Sequence, residues 1–317
     1  MKITVIGAGA IGGWVGARLM LAGERVNIVA RGSTLDRLRN EGLKVTEAGT
    51  IMAARPRVSG DALELGEQDL IVIAVKAPAL REAAELAKPL IGPQTLILPM
   101  LNGVPWWFLP GEEIACVDPE GAVLSSLPYN RIIGCVVHAS CSRIGPNHVA
   151  VKQADRLILG EPAGGPSERV SALAATFRRA GIRVEESNDV RKAIWYKLWG
   201  NATTNPISAL TRATVDRIHG DPGTRAIVAE GMRELAALGA AIGCPISESV
   251  DDRITVAEKL GAFRTSMLQD VDAGRTIELE ALLGAPIEIA RRRSVPVPAL
   301  ERIYALTRLM AESLDLL

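Results

Sequence analysis

The chain has 317 residues, enough for about two domains of roughly 150 residues each. Its 36 basic and 36 acidic side chains cancel, which argues against a general nucleic-acid binder, and 48% hydrophobic with 23% charged residues excludes a disordered, collagenous or coiled-coil chain. No apolar run reaches the roughly 18 residues of a membrane span, so no membrane association is expected.

Lys2–Ile6 reads as a short β-branched strand that runs straight into Gly7-Ala8-Gly9. That apolar stretch is too short for a secretory leader, and a cytoplasmic protein is the expectation. Ala10–Leu21 reads as a helix stopped by Gly23, Arg25–Val29 as the second strand, and Asp69–Val75 and Thr95–Leu98 as further strands around a helical stretch at Leu80–Ala87. Such alternation predicts right-handed crossovers and a mostly parallel sheet. From Arg131 the pattern changes: Ile132–Ser140, His148–Val151 and Arg156–Leu159 read as strands joined by turns, an antiparallel extension of the sheet. Val170–Arg179 reads as a helix and Ile182–Glu185 as one more strand. Beyond Glu186 the strands disappear, and Val190–Asn201, Gly223–Ala241, Ser247–Leu260, Ala281–Arg292 and Ala299–Leu314 read as helices. The predicted fold is an α/β Rossmann-like dinucleotide-binding domain (1–187) followed by an all-α substrate domain (188–317), with the cleft between them as the default ligand site. The four cysteines (116, 135, 141 and 244) lack Cys-x-x-Cys spacing, and the three histidines lack ligand spacing, so reduced thiols and no metal are expected.

Gly7-Ala8-Gly9-Ala10-Ile11-Gly12 matches G-x-G-x-x-G between a strand and a helix, the context that gives this motif its meaning. Gly7 permits the tight turn, Gly9 lets a pyrophosphate approach the backbone, and Gly12 lets helix and strand pack closely. The helix N-terminus offers free N–H groups to the phosphates. The second strand ends Val29-Ala30-Arg31-Gly32, with a guanidinium where an NAD site usually has a carboxylate. Arg31 can pair with a 2′-phosphate, which favours NADP(H). Lys76 and Asn102 follow strand ends and are placed to face the cofactor, although a surface lysine and an Asn-Gly turn explain them equally well.

In the helical half, Lys197, Asn201 and Asn205 are spaced i, i+4, i+8 and share one stripe bordered by apolar neighbours. A lysine and two amides can hold a carboxylate and a carbonyl, whereas solvated faces seldom use asparagine, a mediocre helix former. Pro206 predicts that this helix kinks or ends at Asn205. Glu278, between Ile277 and Leu279, is placed to begin a helix; alone it is a weak signal.

Together these groups resemble the ketopantoate reductase (2-dehydropantoate 2-reductase) family along the whole chain. The order of Lys197-x-x-x-Asn201-x-x-x-Asn205-Pro206, Ser266-Met-x-Gln-Asp270 and Gly274-Arg275…Glu278 carries the likeness more than the glycine loop does. The resemblance implies NADPH-dependent reduction of a 2-keto acid, 2-dehydropantoate first, to the 2-hydroxy acid in pantothenate and coenzyme A biosynthesis. It implies Lys197 and Glu278 as catalytic residues, and substrate contacts at Asn102, Lys197, Asn201, Asn205 and Ser266. Cofactor contacts fall on Gly7, Ala8, Gly9, Ala10, Ile11, Gly12, Arg31, Lys76 and Asn102, with Ala139 a weaker match. Glu278 is left to hold Lys197 or to bond a substrate or cofactor hydroxyl. The chain departs from the family at Leu101 (often Gln), at Ile277-Glu278-Leu279-Glu280, and at Val215-Asp216, where some members have a further asparagine. Competing readings are a reductase of another keto acid, a 3-hydroxy acid dehydrogenase and a non-catalytic NADP(H) sensor. Trp106-Trp107 and the apolar C-terminal helices leave room for a homodimer.

Overall fold

The computed structural model describes residues 1–259 and 261–317, and its contacts divide into two units: Met1–Leu101 with Gly121–Val190, and Asn102–Glu120 with Arg191–Leu317. In the first unit β1 (Lys2–Ile6), α1 (Ala10–Leu21), β2 (Arg25–Val29) and α2 (Gly32–Glu41) are followed by β3 (Leu43–Glu47), β4 (Thr50–Ala54), β5 (Arg57–Ser59) and β6 (Gln68–Ile73). Then come α3 (Leu80–Ala87), β7 (Ile91–Pro99), α4 (Ala122–Ser126), β8 (Gly134–Gly145), β9 (His148–Gly160), α5 (Glu168–Arg179) and β10 (Val184–Ser187).

One sheet has the order β5-β2-β1-β6-β7 and is parallel throughout. β6 carries an unbroken apolar run, Leu70, Ile71, Val72 and Ile73, all at 0% exposure, as a sheet covered on both faces requires. Strand order reverses between β1 and β6, and the loops after these strands carry the glycine motif and Lys76.

The expected antiparallel extension is instead a second sheet, ordered β10-β9-β3-β4 with β8 paired to β9. Residues 148–151 and 156–159, read as two strands, belong to the single strand β9. The segment from Gly32 to Gln68, left unassigned by the sequence, supplies α2 and three strands. β3 and β4 form a hairpin whose loop is Ala48-Gly49, with φ of +47° and +78°. That fits a two-residue turn with both positions left-handed, but alanine there gives none of the usual Asn-Gly signal. β3 then runs parallel to β9, and buried Asn147 ties them: Lys44 N–H donates to its carbonyl at 2.8 Å, and its side-chain amide donates to Gly42 O at 2.7 Å.

The second unit is built on α6 (Val190–Thr211), α7 (Val215–Gly220), α8 (Pro222–Ala241), α9 (Val250–Glu258) and α10 (Ser266–Asp272). A π-helical turn, Glu280–Gly284, leads into α11 (Ala285–Arg293), and α12 (Pro298–Ser313) follows. The last residue of the helix expected at Ser247–Leu260 lies outside the described residues; α9 begins later than expected because the Ser249 hydroxyl caps it, accepting from Asp252 N–H. The helix expected to stop or bend near Pro206 continues to Thr211. Proline removes one hydrogen bond there, but Thr203, Ile207, Ser208 and Ala209 are buried around it, and packing rather than propensity sustains the helix.

The contiguous division at residue 187 also needs revision, because Asn102–Glu120 clusters with the helices. Val104 N–H donates to Ala281 O at 2.8 Å, and the Glu288 carboxylate accepts from Ala115 and Cys116 N–H, each at 2.9 Å. Phe108 stacks on Trp195 with ring centroids 5.7 Å apart. Trp106 and Trp107 are 2% and 3% exposed, so this pair is core and presents no surface to a second copy. No helix among the described residues is long and apolar enough to cross a membrane.

Candidate active site

The glycine loop closes on itself tightly. Gly7 has φ of +103°, and a side chain there would meet Ala74 O at 2.7 Å. A Cβ on Gly12 would lie 2.1 Å from Gly7 O and 3.0 Å from Ala74 and Val5 atoms, so helix and sheet touch without room for a methyl. Gly9 is different: a Cβ there would meet only Ala74 O, at 3.8 Å, an ordinary contact. Gly9 caps α1 without any side-chain hydrogen bond, and the first turn carries no acidic residue. Bare N–H groups, the positive end of the helix dipole and a cradle that a Cβ would narrow fit a dinucleotide pyrophosphate.

Other residues expected near a cofactor are distributed as follows. Arg31 is the extended N-cap of α2, just past β2, and its guanidinium pairs with the Glu82 carboxylate from the first turn of α3. Lys76 caps the short turn Ala77–Ala79 after β6 and is half-buried. Ala139 lies in β8 opposite Ala154, at a register shift, packed on the hydrophobic core of the first unit.

In the second unit α6 is fixed by two indoles. Trp195 Nε1–H donates to Leu235 O at 3.1 Å, and Trp199 Nε1–H donates to Met232 O at 2.7 Å, both on α8. Gly239 makes this possible, since a Cβ there would lie 2.4 Å from Trp195 Nε1. With one face so anchored, Lys197 and Asn201 are half-buried, and Asn205 is buried at 7% exposure.

Lys197 Nζ donates to Asn102 Oδ1 at 2.9 Å, and Asn102 Nδ2 donates to Glu278 Oε2 at 3.2 Å. Three residues from distant parts of the sequence thus form one hydrogen-bonded line, with the amide oriented by an acceptor at one end and a donor at the other. Gly103 holds the amide there. Its φ is +80°, and a Cβ would lie 2.4 Å from Ala281 O, so the turn sits directly on the π-helical segment that follows Glu278. Such turns are common at functional sites, and neither the turn nor the Gly103 contact has a sequence signature. Ser266 is the exposed first residue of α10, capped by Thr265, whose hydroxyl accepts from Leu268 N–H. Behind the stripe, Thr204 Oγ1 lies 3.4 Å from Nε2 of buried His219, and burial holds that imidazole below its ordinary pKa. Val215, where some family members have asparagine, is buried.

Residues 3–164 match Ketopantoate reductase PanE/ApbA, and residues 189–311 match Ketopantoate reductase PanE/ApbA C terminal. The chain belongs to the ketopantoate reductase family. It is 41% identical to the 2-dehydropantoate 2-reductase of Mesorhizobium japonicum over 98% of each chain. A solved ketopantoate reductase homologue from Ralstonia solanacearum MolK2 superposes with a TM-score of 0.97 at 46% identity, covering 100% of this chain and 99% of that one. The 2-dehydropantoate 2-reductase of Methylococcus capsulatus superposes at 0.87 with 31% identity, covering 99% and 98%. An α/β domain followed by a helical C-terminal domain is therefore the frame of this family of oxidoreductases. Within that frame the sequence did not single out Glu82, whose only signal is a carboxylate in a helix's first turn.

Proposed function

We propose that this ketopantoate reductase family member reduces 2-dehydropantoate to the corresponding 2-hydroxy acid, using NADPH in preference to NADH. The observation that carries the reading is the Lys197–Asn102–Glu278 line in a full-length relative of 2-dehydropantoate 2-reductases. When bound, the reduced nicotinamide supplies the hydride that the keto carbon accepts. Negative charge then develops on the keto oxygen. The Lys197 ammonium bonds that oxygen and gives it a proton, regaining one afterwards from solvent. A positioned acid of this kind is worth roughly 10²–10⁴-fold in rate. Asn102 keeps Lys197 aimed, and Glu278 keeps the Asn102 amide from rotating. Asn201, Asn205 and Ser266 orient the substrate's hydroxyl and carboxylate. On the cofactor side, residues 7–12 hold the pyrophosphate, Arg31 pairs with the 2′-phosphate, and Lys76 adds a cation near the sheet's carboxyl edge. A panel of 2-keto and 3-hydroxy acids, followed by nicotinamide absorbance with either cofactor, tests this. Turnover should be greatest with 2-dehydropantoate and NADPH; no turnover with any keto acid would leave a nucleotide-binding protein without this activity.

A further inference from the structure

Arg31 and Glu82 are 51 residues apart, on opposite sides of β1. Arg31 follows β2, and Glu82 lies in the first turn of the helix after β6; β2 and β6 flank β1. Neighbouring parallel strands are about 4.8 Å apart, so the ion pair spans about two strand spacings across the carboxyl end of β1, where the glycine loop begins. In a dinucleotide fold this is where the adenosine ribose is read. Both side chains are more than half exposed, at 56% and 57%, so solvent weakens the pair and a ligand can reach it.

We infer that Glu82 is a specificity-determining residue that sets the balance between NADPH and NADH by competing for Arg31. The inference rests on the reading above that Arg31 meets the 2′-phosphate. A 2′-phosphate must take the guanidinium from Glu82 and bear the nearby carboxylate's repulsion, both of which weaken NADPH. The 2′-hydroxyl of NADH has no quarrel with the ion pair and can donate to the carboxylate. One side of the pair thus favours each cofactor, and the chain keeps a measure of both.

Direct titration of the purified, nucleotide-free protein with NADPH and with NADH, read by nicotinamide fluorescence, tests this without turnover. Glu82→Gln should tighten NADPH roughly 3- to 10-fold and weaken NADH by about 2- to 5-fold, the scale of an exposed ion pair. Glu85→Gln, three residues further along the same helix and paired with Lys88 and Ser126, should leave the ratio of the two dissociation constants as in the parent. An unchanged ratio in Glu82→Gln, or an equal shift in Glu85→Gln, overturns the role given to Glu82 and leaves Arg31's intact. An unchanged ratio in Arg31→Ala overturns both, because Arg31 then does not read the phosphate.

Discussion

Lys197 donates to Asn102 Oδ1 and stands on a helix pinned by Trp195 and Trp199, so its removal should leave the fold intact. Lys197→Ala should lower kcat by about 10²–10⁴-fold with the NADPH dissociation constant nearly unchanged. Lys197→Arg should not restore the rate, because a guanidinium does not readily release its proton. Near-parental kcat in the alanine variant would remove the lysine from the chemistry. His219 makes a different residue-scale statement. Burial lowers its pKa, so the folded chain resists protonating it while the unfolded chain takes a proton near the ordinary value of about 6.5. Its contribution is therefore complete above that value and is lost as pH falls from there toward the depressed folded pKa. Unfolding midpoints in denaturant at pH 7.5 and 5.5 should show a smaller acid loss for His219→Gln than for the parent; equal losses would assign the acid sensitivity elsewhere. At this scale the sequence was most legible: Lys197, Asn201 and Asn205 were separable by helical spacing. The hydrogen-bonded order lysine, asparagine, glutamate was not, since it joins positions 95 and 176 residues apart.

Elements with strong local codes were readable from the local pattern. β1, α1 and β2 fall at the residues that period and glycine placement predict, because a strand buried on both faces and a helix opened by glycines each leave a local pattern. β3 and β4 were unreadable because their turn is Ala48-Gly49 and the second partner of β3, β9, lies about a hundred residues away. Helix α6 runs on past Pro206 to Thr211, so tertiary packing overrides the expected end there. The β1–α1 loop allows a test that separates fold from function at neighbouring glycines. Gly9→Ala adds only an ordinary 3.8 Å contact with Ala74 O, with φ already at −78°, so it should cost less than about 1 kcal/mol of stability, the worth of a cap change. Its methyl stands where a pyrophosphate would approach, and NADPH should bind roughly tenfold more weakly or worse. Gly12→Ala puts a Cβ 2.1 Å from a backbone oxygen and should destabilise by about 1–3 kcal/mol as the backbone gives way. Thermal melts with and without NADPH distinguish the two; a Gly9→Ala protein with parental NADPH affinity would take the pyrophosphate away from this loop.

On the scale of the whole molecule, the residues assigned to cofactor and to chemistry fall in different units. Positions 7–12, Arg31 and Lys76 belong to the first unit, and Lys197, Asn201, Asn205, Ser266 and Glu278 to the second, which Asn102 joins through its segment. The close contacts that shape the glycine loop are made by first-unit residues, Val5, Ala74 and Val75. Cofactor affinity should therefore be insensitive to the lysine even though turnover depends on it. Hydrogen exchange gives this a location. NADPH at about a hundred times its dissociation constant stabilises the state that binds it by about 2.7 kcal/mol, which slows exchange roughly a hundredfold wherever an amide opens only on release of the nucleotide. That slowing should concentrate on the amides of residues 7–13 and 30–35 in the parent. Lys197→Ala should give the same map with the same factor, and Gly9→Ala should lose the protection at matched NADPH concentration. If the lysine variant instead loses protection at residues 7–13, the two sets of residues are energetically one site, and a fall in its kcat can no longer be assigned to a missing proton donor alone.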